Sequence, residues 1–285
     1  MSSIKDKMKE LGFFPKKSLS QNFLTNPLII QKIVSTVEGL KPSLIMEVGP
    51  GLGALTNHFI PLNLPLYVIE KDTLLCQYWR KKEVNVWEGD VLKPKGFIYR
   101  DLKLSSSTNI EEVPWSSLLL PGSVLIGNLP YHIASRLMVQ CCPGPDKIKA
   151  LVFMFQKEVA QRILASPGSI NYGLLSVLSQ CFWKGHFLTE ASVGDFYPRP
   201  KVAGQVLVFH KKTHTISPTE AFLAFVKLCF SHRRKFLLNQ LKTIKEKKHT
   251  KDIFDKMNLS SSIRAEELSP GQFVTLFNEI RTEPG

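Results

Sequence analysis

Residues 44–53, Leu-Ile-Met-Glu-Val-Gly-Pro-Gly-Leu-Gly, constrain this chain more than any other stretch: a short apolar strand runs straight into a glycine loop. Gly49, Gly51 and Gly53 carry no side chain, so the backbone can turn sharply and approach a ligand closely, with the N–H groups of a following helix pointing inward. Such loops serve dinucleotides, phosphates and sulfonium cofactors alike, and the loop alone does not choose among them.

Further strands follow. Residues 66–69, 84–88, 124–127 and 151–155 are short apolar runs bounded by breakers and separated by helical stretches. Runs that do not alternate argue for a parallel sheet covered on both faces. Two later strands, 187–193 and 205–210, flank a linker at 194–202 that Pro198 and Pro200 stiffen. Ahead of the first strand, Leu28, Ile29, Ile33, Val34 and Val37 recur at helical spacing, with Asn26 placed to cap and Pro27 at the first helical position. The expectation is a doubly wound α/β domain that binds its ligand beyond the carboxyl ends of the strands. Residues 1–20 read as a basic arm that orders only on a partner. The serine-rich stretch 93–122 reads as a surface insertion.

From Thr213 the character changes, which sets a boundary between a domain at 1–212 and a smaller one at 213–285. Phe222, Phe225, Val226, Cys229, Phe230, Leu237 and Leu241 fall at the spacing of one amphipathic helix. Between residues 227 and 256 there are ten Lys/Arg against three acids, over half of the chain's net charge of +13. A field of that sign concentrates polyanions, and its confinement to one small terminal domain favours a nucleic-acid footprint over a merely solvated face. Lys16, Lys17, Arg233, Arg234, Lys235 and Lys242 are the expected nucleic-acid contacts. The five cysteines include no C-x-x-C pair, so we expect reduced thiols, neither a disulfide framework nor a metal site. The charged first ten residues and the lack of a long apolar run point to a cytoplasmic protein with no membrane partner.

Glu70 ends the second strand and Asp90 follows the third. A carboxylate at the first place can accept both hydroxyls of an adenosine ribose, and one at the second can take the amine of adenine; either is also an ordinary turn residue. Together with the glycine loop they describe a pocket for an adenosine-containing cofactor. NAD would satisfy that much, although the loop is G-x-G-x-G and not G-x-G-x-x-G. The discriminating stretch is Asn128-Leu129-Pro130-Tyr131 at the end of the fourth strand. An exocyclic purine amine shares its lone pair with the ring and is a poor nucleophile until its hydrogens are held out of plane. The Asn128 side-chain oxygen and the Leu129 carbonyl can accept those hydrogens, Pro130 fixes the turn, and Tyr131 offers a face for stacking.

Gln21-Asn22-Phe23-Leu24, the glycine motif from Glu47 to Thr56, Asn128-Leu129-Pro130-Tyr131, Phe155-Gln156-Lys157-Glu158-Val159-Ala160 and Phe196-Tyr197-Pro198-Arg199-Pro200-Lys201-Val202 together resemble the small-subunit ribosomal RNA adenine N6-dimethyltransferases, the kasugamycin-sensitivity enzymes. His232-Arg233-Arg234-Lys235 is similar to part of that family's C-terminal domain. The resemblance implies a Rossmann-like class I methyltransferase sheet, mostly parallel with the last strand antiparallel, and a small all-helical C-terminal domain. It implies that Asn22 and Leu24 close over S-adenosylmethionine, that Gly49 approaches its methionine part beside Gly51, that Glu70 holds the ribose and Asp90 the adenine, and that Asn128 lies beside the methyl. Phe196 is similar to the aromatic that packs the target base opposite Tyr131. The implied substrate is a pair of adjacent adenosines in the 3′-terminal hairpin loop of small-subunit RNA, each dimethylated in an assembling subunit by a monomer. Residues 98–116 are longer and more polar than the family pattern. Two other readings stay open: the large-subunit adenine methylases of macrolide resistance, and a nucleic-acid-binding factor that keeps the fold.

Overall fold

The computed structural model describes residues 4–16, 19, 21–93, 95–100, 109–142, 144, 146–213, 216–232, 234–242 and 244–282. The chain forms two compact units, residues 1–157 with 186–210, and residues 158–185 with 211–285. This differs from a single cut at 212/213, because 158–185 groups with the C-terminal helices.

In chain order the first unit contains α1 (Ile4–Glu10), β1 (Phe23–Leu24), α2 (Pro27–Gly39), β2 (Ile45–Val48), α3 (Thr56–Phe59), β3 (Leu66–Glu70), α4 (Thr73–Lys81), β4 (Asn85–Glu88), β5 (Gly96–Arg100), β6 (Asn109–Val113), β7 (Ser123–Gly127), α5 (Tyr131–Cys141) and β8 (Ile148–Gln156). After an excursion into the second unit come β9 (Trp183–Ala191), β10 (Phe196–Tyr197) and β11 (Gly204–Lys211). Nine strands form one sheet in the order β6-β5-β4-β3-β2-β7-β8-β11-β9. The five central strands run parallel. All four residues of β2 are buried, as are all five of β7, which is why these strands read as unbroken apolar runs.

The chain leaves β2 for β3 and β4 on one side and returns to β7 and β8 on the other. The strand order reverses between β2 and β7, and a crevice opens beyond the carboxyl ends of strands at such a point. Both expected motifs, the glycine loop after β2 and the Asn-Leu-Pro-Tyr corner after β7, leave the sheet at that place.

Two expectations need correction here. The last strand is antiparallel as expected, β11 against β8, and β5 also pairs antiparallel with β4 and with β6 at the other edge. The expected surface insertion at 93–122 therefore contributes two strands, its segment 101–108 falling outside the described residues. The N-terminal arm is not formless: α1 buries Met8, and Phe13 packs with Phe23, Leu52 and Leu75. In α2 the expected cap is present, the Asn26 side chain accepting from the Leu28 and Ile29 amides, but Leu28 itself is exposed.

The second unit contains α6 (Lys157–Ile163), α7 (Leu174–Phe182), α8 (Thr219–Cys229), α9 (Leu237–Leu241), α10 (Lys247–Lys256) and α11 (Pro270–Arg281). Phe222 meets Phe182 of α7 and Phe277 of α11 edge-on, at 6.0 and 5.2 Å between ring centres. The buried Tyr172 hydroxyl donates to the Leu268 carbonyl at 2.9 Å, and the Gly168 amide to the Glu266 carbonyl at 2.7 Å. These bonds tie the loop before α7 to the chain's last third. The single amphipathic helix expected from Phe222 to Leu241 is two helices, with a turn after Cys229.

Candidate functional site

The glycine loop adopts the backbone that its composition allows. Gly49, Gly51 and Gly53 have φ of +67°, +54° and +87°, and a Cβ on Gly51 would stand 2.7 Å from the Phe23 ring. The helix expected to follow is a single turn, α3, so no long helix aims its dipole at the pocket. The loop is instead fixed from behind. Glu47 of β2 is buried and accepts from the Thr56 hydroxyl at 2.7 Å, and burial pushes its carboxyl up to about 8. The Trp79 indole of α4 donates to the Gly51 carbonyl at 3.0 Å. From the front, Lys7 of α1 donates to the Leu52 carbonyl.

Glu70 closes β3 beside this loop. Its Oε1 accepts the amides of Lys71 and Asp72 at 2.7 and 2.9 Å. Burial raises its pKa to about 7, opposed by the hydrogen bonds from the amides of Asp72 and Lys71. Asp90 is partly exposed, its Oδ1 accepting the Leu92 amide at 3.1 Å and its Oδ2 paired with Lys71 at 3.1 Å. Burial alone would raise the Asp90 carboxyl, but the Leu92 amide and the Lys71 ammonium hold it below the usual range.

The fourth-strand corner lies against the same loop. A Cβ on Gly49 would be 3.4 Å from Cδ2 of Leu129, and one on Gly127 would be 2.9 Å from the Val48 carbonyl. The Asn128 side-chain amide donates to the Asn22 carbonyl at 3.4 Å. Since a carbonyl can only accept, this bond turns the nitrogen of Asn128 toward Asn22 and its oxygen away, the orientation an incoming amine donor needs. Pro130 supplies the carbonyl that starts α5, bonded by the Ile133 and Ala134 amides. Tyr131 is the first residue of α5, and its side chain lies outside those described.

A two-stranded ribbon brings the remaining motifs in. In β1 and β10, Phe23 pairs with Tyr197 and Leu24 with Phe196. Asp195 locks the ribbon by accepting from Asn26 Nδ2 at 2.7 Å and from the Thr25 amide at 2.8 Å. Leu24 and Phe196 are both buried in the main core, so the Phe196 ring is covered in this structure and is not an open stacking face. Asn22, Leu24, Gly49, Gly51, Glu70, Asp90, Asn128, Leu129 and Pro130 thus all belong to the first unit, on β1 and its approach and at the carboxyl ends of β2, β3, β4 and β7.

The basic residues are placed differently. Arg234, Lys235 and Lys242 are exposed on the second unit. The turn that carries the first two is held by Gln240, buried, whose amide donates to the His232 and Lys235 carbonyls at 3.2 and 3.3 Å. No sequence signal marked Gln240. Lys17 and Arg233 lie outside the described residues. Lys16 is in the first unit, paired with Asp72 at 2.8 Å. The five cysteines are buried and none is joined in a disulfide. Among the described residues no helix is long and apolar enough to cross a membrane.

A sheet in the order β4-β3-β2-β7-β8-β11-β9, parallel through β8 with β11 antiparallel to it, a glycine loop at its switch point and an acidic residue ending the next strand, is the class I methyltransferase fold. Within that class the chain belongs to the ribosomal RNA adenine dimethylase family, whose model matches residues 12–282. It is 38% identical to a ribosomal RNA small subunit methyltransferase A from Bdellovibrio bacteriovorus, over 96% of this chain and 95% of that one. It is 34% identical to one of the same name from Mycoplasma genitalium, over 94% and 97%. Among solved structures, a dimethyladenosine transferase from Plasmodium falciparum superposes with a TM-score of 0.70 at 23% identity, covering 90% of this chain and 98% of that one. The 23S rRNA methyltransferase ErmE superposes at 0.63 and 20%, covering 91% and 100%. These two likenesses speak for the fold alone.

Proposed function

We propose that this protein transfers methyl groups from S-adenosylmethionine to the N6 amines of two adjacent adenosines in the 3′-terminal hairpin loop of small-subunit ribosomal RNA, two to each, during subunit assembly. The observation that carries the reading is the packing of the Asn128–Pro130 corner against the Gly49 turn at one strand-end crevice. The names of the relatives at 34 and 38% identity support the small subunit over the large one as the source of the RNA.

The residues present suit the cofactor. The glycine cradle has no room for a Cβ at Gly51, Glu70 presents a buried carboxylate beside it, and Asp90 holds an ionised one next along the strand ends. When bound, S-adenosylmethionine supplies an electrophilic methyl on a sulfonium. Glu70 accepts the ribose hydroxyls and Asp90 the adenine amine of that cofactor. Asn128 Oδ1 and the Leu129 carbonyl accept the two hydrogens of the target amine, which frees its lone pair from the ring and turns it toward the methyl. Tyr131 and Phe196 take the base between them, Phe196 once its covered ring is uncovered. Alignment of nitrogen, methyl and sulfur can supply about 7 to 11 kcal/mol of the barrier without a strong base. An unpaired loop adenosine is cheap to extrude, which suits a site built to grip a single base.

Asn128→Ala tests this directly. Methylation of immature small subunits should fall by about a hundredfold or more, while binding of S-adenosylhomocysteine stays within about threefold of wild type. Near-normal turnover in this variant would overturn the mechanism.

A further inference from the structure

Lys16 belongs by sequence to a basic arm, yet its ammonium is turned to the protein. It meets Oδ2 of Asp72 at 2.8 Å, a carboxylate whose side chain is 0% exposed. The same oxygen takes the Gln21 side-chain amide at 3.4 Å, and Gln21 in turn accepts the Lys16 amide at 2.8 Å. The other Asp72 oxygen caps α4 by accepting the Leu74 amide at 3.0 Å. The Asp72 backbone donates to Glu70 Oε1 at 2.9 Å. One run of bonds thus leads from Glu70 through Asp72 to Gln21, and the next residue, Asn22, holds the amide of Asn128. Asp72 joins the strand-end carboxylate to the segment that faces the fourth-strand corner.

Enclosing a carboxylate in this way is costly unless an opposite charge and hydrogen bonds compensate it. We propose that Lys16 is a positioning residue of the cofactor pocket and not an RNA contact: by neutralising Asp72 it holds Gln21 and Asn22 in register with Glu70. Without the ammonium, Asp72 must draw in water or turn outward, and both Gln21 and the amide that orients Glu70 move with it. This rests on the reading of the pocket as an S-adenosylmethionine site.

The experiment measures S-adenosylhomocysteine binding by calorimetry, and RNA affinity against salt, on the full chain. Lys16→Met should weaken S-adenosylhomocysteine binding by about tenfold and leave the salt slope for RNA unchanged. Lys16→Arg should bind within about twofold of wild type. Adding Asp72→Asn to Lys16→Met should recover part of the loss, because asparagine still caps α4 through Oδ1 and leaves no buried charge unpaired, its Nδ2 donating to the Gln21 side-chain oxygen once that amide turns over. Two results overturn the proposal: Lys16→Met binding the ligand as tightly as wild type, or the double variant binding no better than Lys16→Met. If Lys16→Met instead lowers the salt slope by about 0.7, the increment of one phosphate on single-stranded RNA, with ligand binding intact, Lys16 is the RNA contact its sequence suggests. Failure of the wild-type protein to bind S-adenosylhomocysteine would remove the cofactor reading itself, a result distinct from all of these.

Discussion

Glu70 is one residue under two opposed influences. Its surroundings strip it of water, which favours the protonated form, and offer it backbone N–H groups, which favour the ionised one; burial wins and the pKa stands at about 7 against an ordinary 4.5. Only the ionised form accepts both ribose hydroxyls. Cofactor binding should therefore strengthen as pH rises through 7, by about tenfold between pH 6 and pH 8, and Glu70→Gln should bind more weakly with that dependence removed. Calorimetry with S-adenosylhomocysteine across that range reads both effects. A flat profile in the wild-type protein would mean that Glu70 does not hold the ribose. At this scale the sequence was informative where spacing fixes a place, as for Glu70 at a strand end. It was uninformative where a role depends on a partner far along the chain. Nothing in the neighbourhood of Lys16 says that Asp72 will stand beneath it, or that Gln240 will pin the turn of Arg234 and Lys235.

Among elements, the central strands were legible because burial on both faces leaves no reason for polar residues, and β2, β3, β4, β7 and β8 stand where their apolar runs lie. The strands that escaped notice are those that sheet context creates. β1 and β10 are two residues each and exist only as each other's partner, while β6 carries Glu111 and Glu112 at an open edge. The break between α8 and α9 was hidden because apolar spacing continues across it, and the turn is set by the bonds of Gln240. The glycine loop offers a sharp test of how elements depend on one another. Gly51→Ala would require a left-handed alanine, costing about 1 to 2 kcal/mol, and would drive a Cβ into the Phe23 ring of β1. Thermal denaturation should show a midpoint lower by several degrees, with cofactor binding lost together with the β1–β10 pairing. An unchanged midpoint would show that Phe23 yields without cost.

Taken whole, the molecule divides the proposed chemistry between two units, with the residues proposed to hold the cofactor on one and the exposed Arg234, Lys235 and Lys242 on the other. RNA affinity should fall steeply with salt, the log–log slope changing by about −0.7 for each phosphate neutralised. Alanine at Arg234, Lys235 or Lys242 should each remove about one such increment while leaving S-adenosylhomocysteine binding as it was. Filter binding across a salt series reads the slope, and three variants with the wild-type slope would refute the assignment of this surface to RNA. The composition announced the basic region but not its membership, since residues 158–185 are neither basic nor terminal and are joined to it by packing and by hydrogen bonds such as that of Tyr172 to Leu268.

That membership bears on how the molecule can come apart. The backbone passes between the units three times, near residues 157, 185 and 210. A nick near 210 severs residues 211–285 covalently but leaves residues 158–185 joined at both ends to the first unit, so a single cut cannot shed the whole helical unit as a free fragment.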